Sequence, residues 1–151
     1  MDARMPNPLA TVPGALDALL AFAAAAGASG LAQSTIDLVH LRASQINGCS
    51  VCVQMHAAEM RKSGQSDDRI FAVAAWRDAP YFTAEERAAL ALTEHATRLA
   101  DRPDPVPGEV FDAAAKQFSE PQLASLVLHI ALINAFNRIN AATGQVAGAW
   151  S

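Results

Sequence analysis

The chain has almost nothing from which to build a β-sheet. Its one tyrosine, two tryptophans and six phenylalanines are scattered over 151 residues. Its β-branched residues never fall into the alternating runs that a half-buried strand requires. It also lacks a run of basic residues: eleven Lys and Arg face fifteen Asp and Glu, for a net charge of −4. That balance argues against a nucleic-acid partner, since no basic patch is present. No stretch suits a bilayer, because Leu19 to Ala26 is too short and Leu123 to Ile133 is broken by Ser125 and His129. Met1 to Pro8 lacks the basic-then-apolar order of a signal peptide, so the expected location is the cytoplasm, with no membrane contact. Cysteine is scarce too. In a reducing compartment, two cysteines three apart serve chemistry or a metal rather than a structural staple.

What is abundant is alanine and leucine, in a chain that is 52% apolar. That composition favours helices packed closely through small side chains, and the length suits one domain with a sizeable core. The expectation is an all-α bundle of about seven helices spanning residues 1–151, with residues 1–13 as an extended, proline-bearing arm. The first helix runs from Gly14 to about Ala26, with Leu16, Leu19, Leu20 and Ala23 on one stripe, and Gly27 to Gly30 ends it. Ser34 caps the second, Thr35 to about Ile46, and Asn47-Gly48 turns the chain into the third, about Cys49 to Lys62. Ser66 caps a fourth to about Arg77. Thr83 to Glu86 reads as a capping box opening a fifth to about Ala100. After the proline-stiffened loop 101–107 come a short helix to Gln117 and a long final one, capped near Ser119 and stopped by Gly144. Surplus apolar surface on such helices predicts self-association.

The chemistry concentrates in Asn47-Gly48-Cys49-Ser50-Val51-Cys52-Val53-Gln54-Met55-His56. A Cys-x-x-Cys that opens a helix meets the unpaired N–H groups of the first turn, which stabilise thiolate over thiol. Cys52 and His56 are four apart and share a helix face, which puts a base beside that sulfur. The spacing therefore points to a redox-active dithiol. His56 names Cys52 as the attacking sulfur and leaves Cys49 to resolve. The opposite assignment, in which the helix-end sulfur attacks, stays open. His40 and His56 lie eight residues either side of Gly48, so a hairpin sets them at one height, with Asp37 a turn further along. A carboxylate near the imidazole would orient it and favour its charged form. No second Cys-x-x-Cys is present, so a zinc centre from Cys49, Cys52, His56 and either His40 or Asp37 is not expected.

These residues resemble a known family. Ser44-Gln45-Ile46-Asn47-Gly48-Cys49 through Cys52 and His56 is similar to the core of the alkyl hydroperoxidase D-like branch of the carboxymuconolactone decarboxylase superfamily. Ala74 to Arg77, Thr83 to Glu94 and Leu132 to Arg138 resemble the same branch. The resemblance implies a helical homo-oligomer, trimeric or hexameric, that reduces peroxides through the two cysteines. It implies no bound cofactor or metal. It does imply an external dithiol donor of lipoyl or thioredoxin type, and a carboxylate–water–histidine relay serving the second cysteine. Asp37 stands at the family's relay glutamate, and Val51 stands where some members carry a histidine before the second cysteine. A lyase acting on a lactone carboxylate is the alternative within the superfamily, and a non-enzymatic redox sensor the alternative outside catalysis.

Other residues read more plainly. His40, Asn134 and Asn137 are candidates to stand behind the site, and Asn134, Asn137 and Asn140 form a polar stripe on the last helix. His129, among leucines and isoleucine, reads as a hydrogen-bonded core histidine, and His95 as a surface or interface residue. Trp76, Phe82 and Trp150 read as core or interface anchors.

Overall fold

Alanine-rich segments punctuated by glycine and proline fold into eight α-helices in a computed structural model that describes residues 2–148. Among the described residues there is no strand. The helices are α1 (Pro8–Thr11), α2 (Ala15–Ala26), α3 (Gln33–Asn47), α4 (Ser50–Lys62), α5 (Asp67–Ala72), α6 (Ala84–Thr97), α7 (Gly108–Ala115) and α8 (Glu120–Thr143). Single 3-10 turns, Gly27–Ser29 and Val73–Ala75, follow α2 and α5. Trp150 lies outside the described residues.

The expected arm is not wholly extended. Asn7 caps the one-turn α1 by accepting the Leu9 N–H at 2.8 Å, and Pro8 fills the first helical position, where its missing N–H is no loss. α3 begins at Gln33, so Ala32 rather than Ser34 holds the cap position. α5 is shorter than the helix expected through Arg77, and α6 ends at Thr97 rather than near Ala100 because Arg98 leaves helical geometry. The capping box at α6 forms: Thr83 Oγ1 accepts the Glu86 N–H at 3.2 Å and Glu86 Oε2 accepts the Thr83 N–H at 2.9 Å.

α3 is the buried axis of the bundle. Ile36 and Val39 pack with Leu92, Leu126 and Ile130 of α6 and α8. Leu38 and Leu41 pack with Met60, Ile70, Trp76, Phe82 and Leu90. Ala43 meets Cys49, Cys52 and Ile133 in a third, smaller cluster. Each fully buried leucine contributes about 2 kcal/mol of transfer free energy. With apolar side chains on several faces, α3 must satisfy its polar residues inside the protein. Arg42 does so on Glu94 of α6, through Nε at 2.8 Å and Nη2 at 2.6 Å. Glu94 also accepts from Trp76 Nε1 at 2.9 Å and Arg77 Nη1 at 2.8 Å. Burial pushes the Glu94 carboxyl up, but bonds from Trp76, Arg77 and Arg42 outweigh it and hold the pKa below the ordinary value.

α8 has the length and composition to cross a bilayer, with a mean hydropathy of 1.2. Here it serves as a core helix, since Ser125, His129, Asn134, Asn137 and Asn140 are buried along it and bonded within the bundle. Among the described residues, apolar faces on α2 and on α7 and α8 are uncovered. Leu16, Leu20 and Phe22 of α2 are exposed, and Phe111, Leu123, Val127 and Leu128 line an open groove of about 390 Å³ between α7 and α8.

Candidate active site

The site begins at the joint between α3 and α4. Gly48 takes a left-handed conformation (φ +65°), its N–H bonds to the Gln45 carbonyl, and the Cys49 N–H bonds to the Ser44 carbonyl at 3.1 Å. This pattern closes one helix and aims the chain into the next. Cys49, with φ −82° and ψ 97°, is the cap residue of α4. Its sulfur stands where a Ser or Asp oxygen usually stands, and accepts the Cys52 N–H at 3.3 Å. Negative charge at that point is favoured by the first-turn N–H groups and the helix dipole.

The opposite wall is α8. Asn140 Nδ2 lies 3.3 Å from Cys52 Sγ and 3.8 Å from Cys49 Sγ. One helical turn back, Asn137 donates to Ser44 Oγ at 3.0 Å and accepts from Asn47 Nδ2 at 2.9 Å. Asn47 Nδ2 donates also to Asn134 Oδ1 at 3.0 Å, and Asn134 donates to Thr97 Oγ1 at 3.1 Å. A ladder of carboxamides therefore ties the end of α3 to α8.

Both cysteines are free thiols and almost inaccessible, at 3% and 1% exposure. A bond from the Cys52 thiol, the Cys52 backbone N–H and the Asn140 and Asn137 side chains together outweigh burial and hold Cys49 down to about 6. Cys52 is pushed up, because it donates to the Cys49 sulfur and is itself buried. The cap position and the Cys52 N–H favour the anion on Cys49, the assignment opposite to the one that the spacing of His56 suggested.

Three histidines cluster between α3, α4 and α8. The His40 ring stands 4.9 Å, centroid to centroid, from His56 and 5.3 Å from His129, and His40 Nε2 lies 3.3 Å from His129 Nδ1. The equal heights of His40 and His56 do bring them together. His56 Nδ1 bonds to Glu59 Oε2 at 3.0 Å, and its Nε2 is buried with no hydrogen-bond partner. With its Nδ1 proton on the carboxylate, Nε2 carries the free lone pair. Burial lowers all three imidazoles below the ordinary value, His40 most strongly, which keeps them neutral near pH 7.

Asp37 lies near His56 without a direct hydrogen bond to it. Its carboxylate accepts from Gln33 Nε2 at 2.8 Å, and the carboxylate bonded to His56 is Glu59 of the same helix. Asp37 is close enough to act electrostatically on His56, and its own pKa is raised, chiefly by burial. Sequence reasoning missed Glu59, although its i, i+3 offset from His56 was legible. It also missed the role of Asn47. It did find the asparagine stripe, but not that Asn140 is the member touching sulfur. Trp76 and Phe82 are core residues, and His95 is half-buried, its Nδ1 3.2 Å from the Pro105 carbonyl. Among the described residues no group of His, Cys, Asp and Glu is arranged to hold a metal ion.

Comparison with known proteins gives a consistent picture. The model of the carboxymuconolactone decarboxylase family matches residues 13–95. An uncharacterised protein of Bacillus subtilis, YdfG, is 38% identical over 117 residues, which is 78% of either chain. A crystal structure of a protein of unknown function from Agrobacterium tumefaciens, provisionally described as the antioxidant defence protein AhpD, superposes with a TM-score of 0.89. It is 33% identical and covers 97% of this chain and 98% of its own. The debrominase Bmp8, solved with 2,3,4-tribromopyrrole, shares the fold at a TM-score of 0.81 and 20% identity, over 93% of this chain and 74% of its own.

Proposed function

Because the chain belongs to the carboxymuconolactone decarboxylase family, we propose that it is an enzyme of the AhpD-like branch. In this reading it reduces hydrogen peroxide or small alkyl hydroperoxides through Cys49 and Cys52. The observation that carries the reading is the Cys49 sulfur at the cap of α4, bonded to the Cys52 N–H and held at about 6 beside a second thiol. The Cys49 thiolate attacks the terminal peroxide oxygen, the O–O bond breaks, and the alkoxide takes a proton from solvent water and leaves as alcohol, giving Cys49 sulfenic acid. The Cys52 proton passes through a water to His56 Nε2, one helical turn away, and the Cys52 sulfur displaces hydroxide from Cys49. Hydroxide and that proton form water, and the dithiol has supplied both electrons to become a disulfide.

An external dithiol, of lipoyl or thioredoxin type, returns the pair to the thiol state in the cytoplasm. The deep burial of both sulfurs supports a small peroxide over a bulky one. The uncovered faces of α2 and of the α7–α8 groove support a homo-oligomer, trimeric or hexameric. The test is stopped-flow peroxide consumption with a dithiol reductant. Turnover above the free-thiol background, abolished by Cys49→Ser, is expected. A rate no higher than background, or activity on a lactone carboxylate that survives loss of both thiols, would overturn it.

A further inference from the structure

We propose that Asn140 is a catalytic residue of this dithiol, a neutral donor astride both sulfurs that sets their acidity and reduction potential. The inference rests on the redox reading of Cys49 and Cys52 and assigns it a group from the other end of the chain. Asn140 is buried, and its Nδ2 approaches Cys52 Sγ at 3.3 Å and Cys49 Sγ at 3.8 Å, from 88 and 91 residues away in sequence. A carboxamide suits this position for a chemical reason. It offers hydrogens to a sulfur anion without holding a titratable proton of its own, so it stabilises thiolate without competing as an acid. Burial raises both thiols, and the Asn140 N–H opposes it at each.

The amide is held in place rather than left to find the sulfurs. The turn that follows it is tied to the N-terminal arm, where the Arg4 N–H meets the Thr143 carbonyl at 2.8 Å, Arg4 Nη1 meets the Ala142 carbonyl at 3.0 Å, and Gln145 Nε2 meets the Met5 carbonyl at 3.0 Å. Gln145 N–H closes back on the Asn140 carbonyl at 2.9 Å. When a disulfide forms, neither sulfur keeps a negative charge and the amide loses its charged partner. Asn140 therefore favours the reduced, ionised pair and makes the disulfide a stronger oxidant.

The experiment uses the full chain with Asn140→Ala, Asn140→Asp and Asn140→Gln. Thiolate absorbance is followed against pH, and the dithiol–disulfide equilibrium is measured in glutathione buffers. Asn140→Ala should weaken the Cys49 acid about tenfold, as loss of a hydrogen bond to a charged group implies, and lower the potential by about 30 mV for each tenfold. Asn140→Asp, close in shape, should weaken the acid further, because a carboxylate repels the thiolate, and Asn140→Gln should recover part of the loss. Equal effects of Ala and Asp would indicate packing alone and overturn the proposal, as would unmoved titration and potential in variants with native circular dichroism. Neither readout involves peroxide. A wild type without turnover but with these shifts refutes only the peroxidase reading, and normal turnover with unmoved titrations refutes only this one.

Discussion

Cys52→Ser and Cys52→Ala separate the two influences on the Cys49 sulfur. The largest is the bond from the Cys52 side chain, and the next favourable one is the Cys52 backbone N–H, which either substitution keeps. A serine hydroxyl can donate as the thiol does, so Cys49 in Cys52→Ser should still titrate near 6, whereas in Cys52→Ala the midpoint should climb toward the ordinary range. At pH 7 a thiol of pKa about 6 is ~90% thiolate and an ordinary one ~3%, roughly a thirtyfold difference. The more acidic sulfur is a weaker nucleophile, however. With a Brønsted slope of about 0.45, most of that gain disappears, leaving a rate advantage of only about twofold to threefold. At pH 5 the thiolate ratio grows to about 300, and the surviving advantage is about twentyfold. The assay is therefore iodoacetamide alkylation of Cys49 across pH 5 to 9, followed by mass spectrometry, with a small reagent because the sulfur is 3% exposed. Identical curves for the serine and alanine variants, or a wild-type midpoint of about 8.5, would refute the electrostatic account.

Three further outcomes follow from the same geometry. Glu59→Gln removes a charge that raises the His56 pKa, so the imidazole should titrate lower still by NMR, and an unchanged midpoint would deny Glu59 its orienting role. His40 and His56 are depressed below an ordinary 6.5, so the unfolded chain binds protons first and stability is lost as pH falls below 6.5 toward their folded values. Urea midpoints should fall by an amount equivalent to at most about 1 kcal/mol per histidine between pH 6.5 and 5.5, and a flat profile there would contradict the buried, neutral assignment. Glu94→Gln should cost about 3–5 kcal/mol, since it strands the largely buried Arg42 guanidinium without its counter-charge. Thermal unfolding lowered by less than about 5 °C would show the cluster to be dispensable.

Much of the molecule was legible in the chain itself. Helical class follows from alanine content and the absence of alternation, and the joint between α3 and α4 follows from Asn47-Gly48, because only a left-handed residue closes one helix and caps the next so tightly. The placement of Cys49 at a helix start and the meeting of His40 with His56 were both local consequences of rise per residue and spacing. Periodicity could not say which carboxylate takes the His56 proton, because Asp37 and Glu59 are both within reach along their helices and only side-chain packing chose Glu59. Nor could it say which sulfur is the stronger acid. That is set first by the Cys52 thiol and N–H against the Cys49 sulfur, while Asn140, brought across from α8, lowers the pKa of both sulfurs through a contact 88 residues distant that leaves no trace in local pattern. Sequence by itself determined that a dithiol opens a helix. Tertiary structure decided how deeply the pair is buried and which distant amides, Asn137 and Asn140, oppose that burial, because a sulfur's charge depends on its solvation as well as on its local donors.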